Sequence, residues 1–309
     1  MVDRRQFITR VVGTAMAGVA MPRLAAAQVG PLSSTTALSD RLSLITSGGT
    51  NVLALATSDG LVLVDSGAPD RTDALMAMLR AMLLEAGKVH TLFNTHYHPE
   101  NTGGNEMLGQ RGATIVAHEN TRLWMATPVW NPAEDRYRPP RPVAAQPTQT
   151  FRTAGSMTVG GEGIDYGYLL EGHTSGDIYI RFRSGNVLAV GDVASPTRDP
   201  ELDYFTGAWI GGRVDTMDRL LALCDDKTRI VPGFGPVMTK AELQTERDVM
   251  KTIYDRTVDL VREGDEATDM LDAGVLNGLL RTWKDPQRFL YDVQKGLWAH
   301  HNKLSPNVV

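Results

Sequence analysis

Thr95-His96-Tyr97-His98-Pro99-Glu100-Asn101-Thr102-Gly103-Gly104-Asn105 follows an apolar run, Val89 to Asn94, that reads as a β-strand. Side chains two apart in an extended segment point the same way, so the imidazoles of His96 and His98 can reach one metal ion. A lone His-x-His is a weak signal, and its weight here comes from four companions in order along the chain. Leu63-Val64-Asp65-Ser66-Gly67 ends an upstream strand, and Glu171-Gly172-His173-Thr174-Ser175-Gly176-Asp177 follows a later one. Gly191-Asp192 ends another, and Val231-Pro232-Gly233-Phe234-Gly235-Pro236 comes after a helical run.

Around these motifs, short β-rich runs alternate with amphipathic stretches, the pattern of an α/β protein. Val52 to Ala56 and Leu61 to Asp65 flank Ser58-Asp59-Gly60, a hairpin signal. Thr72 to Ala86 sets Leu75, Met76, Leu79, Met82 and Leu83 at helical spacing, with Gly87 as the stop. Ile164 to Glu171, Ile178 to Phe182 and Val187 to Val190 read as strands. Val214 to Leu223, Lys240 to Arg262, Ala267 to Leu280 and Pro286 to Ala299 read as helices. Six prolines between Pro128 and Pro147 predict a long loop or lid. Gly103 and Gly104 are expected to let the histidine loop turn tightly into the next helix.

The order and spacing of the five motifs, from about Leu42 to Pro236, resemble the metallo-β-lactamase fold superfamily. The resemblance implies a four-layer αββα sandwich, with metals where strand ends meet along one edge. It also implies that His96, His98 and His173 form a complete first metal site, with Asp192 as the carboxylate that commonly bridges two metals. The usual pattern is His-x-His-x-Asp-His with a later Pro-Gly-His-Gly. Here Glu100 stands for the aspartate, Asn101 for the following histidine and Phe234 for the last one. A phenyl ring cannot ligate zinc and an amide is a poor substitute for imidazole, so loss of the second site is expected.

One site can still support hydrolysis. Three neutral imidazoles leave zinc an open tetrahedral position, and its charge lowers the pKa of water toward about 7. Glu100 is the candidate general base, and Asp192 a fourth ligand or a group that orients water. Asp65 is expected to fix the histidine loop through hydrogen bonds, with Asn101 beside it. The same residues leave two other readings open. His96, His173 and Asp192 match the two-histidine, one-carboxylate set of non-haem iron oxygenases, which fits an iron dioxygenase. Substitution at three ligand positions also fits a non-catalytic metal-binding scaffold.

The remainder of the chain bounds the surroundings. Arg4-Arg5-Gln6-Phe7-Ile8, the short apolar run Val11 to Met21 and Ala25-Ala26-Ala27 read as a twin-arginine signal peptide over residues 1–27, implying export to the periplasm without stable membrane insertion after its removal. Residues 28–238 form the expected domain, and 239–309 a helical extension packed on it that adds cover or a homodimer face rather than chemistry. The chain has 309 residues, 31 Lys and Arg against 36 Asp and Glu, and a net charge of -5, which argues against nucleic acid and leaves a small molecule as the expected substrate. The single cysteine, Cys224, excludes an internal disulfide and a cysteine-rich metal cluster. Phe205, Trp209 and Phe234 are candidates for an apolar pocket wall. Trp124 and Trp130 are candidates for a lid, with Arg136, Arg138 and Arg141 giving it a basic face. His300 and His301 are expected to be solvent-exposed.

Overall fold

A computed structural model describes residues 33–131 and 135–300. The expected signal peptide, residues 1–27, and His301 lie outside the described residues. The chain first builds a seven-stranded sheet in the order β1-β2-β3-β4-β5-β6-β9. Its strands are β1 (Ser33–Ala37), β2 (Leu42–Ser47), β3 (Thr50–Thr57), β4 (Gly60–Val64), β5 (Val89–Phe93), β6 (Thr114–His118) and β9 (Gln149–Phe151). The first four pair antiparallel, and β4, β5, β6 and β9 run parallel. A second sheet holds β10 (Ala154–Val159), β11 (Glu162–Tyr168), β12 (Ile178–Phe182), β13 (Val187–Gly191) and β14 (Arg229–Pro232), in that order.

Strand β4 shows why two sheets must stack. Its Gly-Leu-Val-Leu-Val sequence is buried throughout, as a strand covered on both faces requires. Val62 and Val64 face the core between the sheets, with Phe93, Ile180 and Phe182. Leu61 and Leu63 face α1 (Thr72–Ala86), against Leu75 and Leu79. Strand β13 repeats the division, with Val187 and Ala189 between the sheets and Leu188 and Val190 facing the outer helices. Each such buried valine, leucine, isoleucine or phenylalanine contributes about 1.5–3 kcal/mol. The result is the expected αββα sandwich. On the first sheet lie α1, α2 (Pro99–Thr102), α3 (Asn105–Gln110) and α4 (Glu119–Ala126). On the second lie α5 (Ile210–Ala222), α6 (Lys240–Glu263), α7 (Ala267–Asp272) and α8 (Pro286–Ala299), which share one core.

Two sequence expectations need correction. The helix expected over Ala267 to Leu280 stops at Asp272, because Gly274 and Gly278 take positive φ and break it. The proline-rich stretch carries a small hairpin, β7 (Val129–Asn131) with β8 (Arg136–Arg138), rather than loop alone. No described helix is long and apolar enough to cross a membrane.

Candidate metal centre

The site lies where strands of both sheets end. Asp65 follows β4, Thr95 to His98 follow β5, His173 comes after β11, Asp192 after β13 and Gly233 after β14. The buried Asp65 carboxylate accepts from the Thr95 amide at 2.8 Å, the Thr95 hydroxyl at 2.7 Å and the Asn101 side-chain amide at 3.1 Å. Burial pushes Asp65 up to about 7 against those bonds. The two glycines after the histidines serve a close approach rather than an unusual turn. A Cβ on Gly103 would stand 2.2 Å from the Pro69 nitrogen, while its φ is an ordinary -62°.

Each imidazole is held by its outer nitrogen. Thr95 gives its hydroxyl proton to Asp65 and so accepts from His96 Nδ1 at 3.0 Å. His98 Nε2 donates to Asp203 Oδ2 at 3.3 Å, and His173 Nδ1 donates to the Glu201 carbonyl at 2.9 Å. These bonds fix the tautomers so that His96 Nε2, His98 Nδ1 and His173 Nε2 point inward. One nitrogen from each ring lies within 4.8 Å of the others. His96 Nε2 is buried with no hydrogen-bond partner, and His98 Nδ1 stands 3.1 Å from His173 Nε2. Inward lone pairs with no donor among them fit a cation.

Electrostatics favour the neutral form at two of the three rings. Burial and the neighbouring imidazoles hold His96 and His173 well below the usual histidine range. Burial pulls His98 down as well, but Asp203, through its hydrogen bond and its charge, and then Glu201 and Glu100 outweigh it and push His98 up to about 9.

Asp192 is near this group without belonging to it. Its Oδ2 is 3.9 Å from His173 Nε2 and forms an ion pair with Arg198. The Arg198 guanidinium lies 3.3 Å over the Phe234 ring. Asp192 Oδ1 and Asn101 Oδ1 are buried without partners. Gly233 is required here, since a Cβ would meet Asp192 Oδ1 at 1.9 Å. Glu100 is half-buried, grouped within 4.8 Å with His98 and Glu201.

Beside His98 opens a cavity of about 810 Å³ lined by Tyr97, Trp124, Trp130, Arg141 and Phe205, with Arg136 and Arg138 on its wall. Phe234 instead lines a separate groove with Arg198 and Lys284. Trp209, expected as a pocket wall, is a core residue. The extended backbone before α5 lays its indole onto Gly211 and Gly212, where a Cβ would come within 2.2 Å and 2.7 Å of the ring. His300 is likewise not free in solvent: it stacks on Trp209 at 4.8 Å and bonds the Gly207 carbonyl at 3.0 Å.

The residues missed in the sequence are Asp203, Glu201 and Arg198, all in the irregular segment after Gly191-Asp192. Their signal was faint: charged residues in a Pro-punctuated loop directly following a motif. A contact such as His98 with Asp203 spans 105 positions and no spacing rule reaches it.

The C-terminal extension holds the loop that follows Asp192. Glu246 of α6 accepts from the Ser195 amide at 2.8 Å, and Arg213 of α5 donates to the Ser195 hydroxyl at 2.9 Å. Arg281 donates to the carbonyls of Ser195 and Arg198. The Asp199 carboxylate accepts from the amides of Lys284, at 3.0 Å, and Asp285, at 2.7 Å.

The family model of the metallo-beta-lactamase superfamily matches residues 45–233. A metallo-beta-lactamase type 2 of Bacillus cereus is 26% identical over 202 residues, covering 65% of this chain and 73% of its own. Metallo-beta-lactamase IND-1 of Chryseobacterium indologenes is 24% identical over 47% of this chain and 55% of its own. The solved metallo-beta-lactamase from Pontibacter korlensis superposes with a TM-score of 0.58 at 21% identity, over 71% of this chain and 99% of that one. A sec-alkyl sulfatase superposes with a TM-score of 0.64 at 14% identity, over 87% of this chain and 50% of that one.

Proposed function

The chain belongs to the metallo-beta-lactamase superfamily, and from that premise we propose that it is an exported hydrolase working with a single zinc ion held by His96, His98 and His173. The observation that carries the proposal is the set of three inward imidazole nitrogens, each fixed from behind by Thr95, Asp203 or the Glu201 carbonyl. Bound there, zinc would supply the positive charge that lowers the pKa of water toward about 7. Glu100, on the wall of the cavity beside His98, would serve as the base that accepts a proton from water there. The aromatic rings of Tyr97, Trp124, Trp130 and Phe205 bind the apolar part of a small substrate, and Arg141 orients an acidic group on it. The bond cleaved is an ester, thioester, lactone or lactam.

The iron dioxygenase reading needs Asp192 as a ligand, and the ion pair of Asp192 with Arg198 weighs against it. Residues 1–27 direct the folded chain to the periplasm, which amino-terminal sequencing of the mature protein tests. A homodimer through the helical extension is tested by light scattering.

The deciding experiment is elemental analysis of residues 28–309, purified without chelators and without a polyhistidine tag. The expected result is about one zinc per chain, lost in His96→Ala and His173→Ala. About one iron would support the dioxygenase instead, two metals would overturn the single-ion reading, and none after loading would leave a scaffold.

A further inference from the structure

Asp192 presents a contradiction that the three-histidine site does not resolve. Its carboxylate is 3% exposed and 3.9 Å from His173 Nε2, close enough for a small side-chain movement to bring it onto a metal held by that nitrogen. Carboxylate oxygen is a good zinc ligand, and a fourth protein ligand would close the position that water needs. One thing opposes that movement: Asp192 Oδ2 is paired with the Arg198 guanidinium.

Arg198 is itself held in place. Its guanidinium carbon lies 3.3 Å from the centre of the Phe234 ring, and its carbonyl is tied to Arg281. On either side, Glu246 holds the Ser195 amide and the amides of Lys284 and Asp285 hold the Asp199 carboxylate. A planar guanidinium suits such a place, because it can stack on a ring and still direct an N–H at a carboxylate.

We propose that Arg198 is a positioning residue that withholds Asp192 from the metal, keeping the centre at three protein ligands with its fourth position open. The proposal rests on the reading of the histidine triad as a metal site. Asp192 and Arg198 balance each other's charge. Without the arginine, a buried carboxylate has no counter-ion except the metal beside it, so it moves onto the metal. Phe234 contributes the surface on which the arginine lies.

The test uses cobalt(II) as probe, with affinity from competition against a chromophoric chelator and coordination from the visible absorption spectrum. Wild type is compared with Arg198→Ala and with Arg198→Met, which keeps an apolar stem over Phe234 should the alanine variant fold poorly. Both are expected to bind cobalt at least tenfold more tightly, with an altered ligand-field spectrum. Adding Asp192→Asn to Arg198→Met is expected to return affinity and spectrum toward wild type, since an amide replaces the carboxylate ligand poorly. Unchanged affinity and spectrum in the folded Arg198 variants, with cobalt still lost in His96→Ala, would overturn the role of Arg198 alone. Failure of wild type to bind cobalt, or binding that survives His96→Ala and His173→Ala, would overturn the triad as metal site and this proposal with it.

Discussion

Asp203 touches no inward-facing atom of the triad, yet it governs His98. It accepts from the Tyr97 hydroxyl at 2.6 Å and from His98 Nε2 at 3.3 Å, and its own carboxyl lies below the usual range because these bonds outweigh its burial. Asp203→Asn should weaken metal binding about 10–100-fold, read by chelator competition, because removing a carboxylate behind a ligand lowers its basicity and frees its orientation. An unchanged affinity would show that Asp203 serves only Tyr97. Much at this scale was legible in the sequence. His96, His98 and His173 converge as their motifs suggested, and Asp65 ties Thr95 and Asn101 as its position at a strand end implied. Trp209 was not legible, because an aromatic before a helix can point outward or fold back, and the two glycines that accept its ring are an ambiguous sign.

Among the elements, those with strong local punctuation match the sequence reading. Helix α1 covers Thr72–Ala86 and is closed by Gly87 at φ 76°, and α8 begins at Pro286 behind an Asp285 cap. The segment after Asp192 has no period and no regular structure, so its shape is set by partners far along the chain. Glu246 is the chief of them, 6% exposed, with Arg213 at 3.6 Å and Arg281 at 3.7 Å. Glu246→Ala should cost about 3–5 kcal/mol in urea unfolding, because it leaves two arginines without their shared carboxylate. A loss under about 1 kcal/mol would mean that water already satisfies those arginines.

For the molecule as a whole, the same burial that builds the sandwich sets its response to pH. Asp292 on α8 is 3% exposed, and burial pushes its carboxyl up to about 7 despite the Arg288 guanidinium at 3.2 Å. A carboxyl raised on folding favours the native state while protonated, so its stabilising effect is full below its unfolded value near 4 and is lost as pH rises through about 7. Asp292→Asn should therefore raise Tm by a few degrees at pH 8 and leave it nearly unchanged at pH 4, as differential scanning calorimetry would read. A gain equal at both values would assign the effect to packing. The family match ends at residue 233, whereas the amides that grip Asp199 belong to Lys284 and Asp285. A ribosome therefore finishes the histidine ligands long before it makes the residues that set the Asp192 loop, and a nascent chain cannot hold the completed geometry until Lys284 and Asp285 have been made.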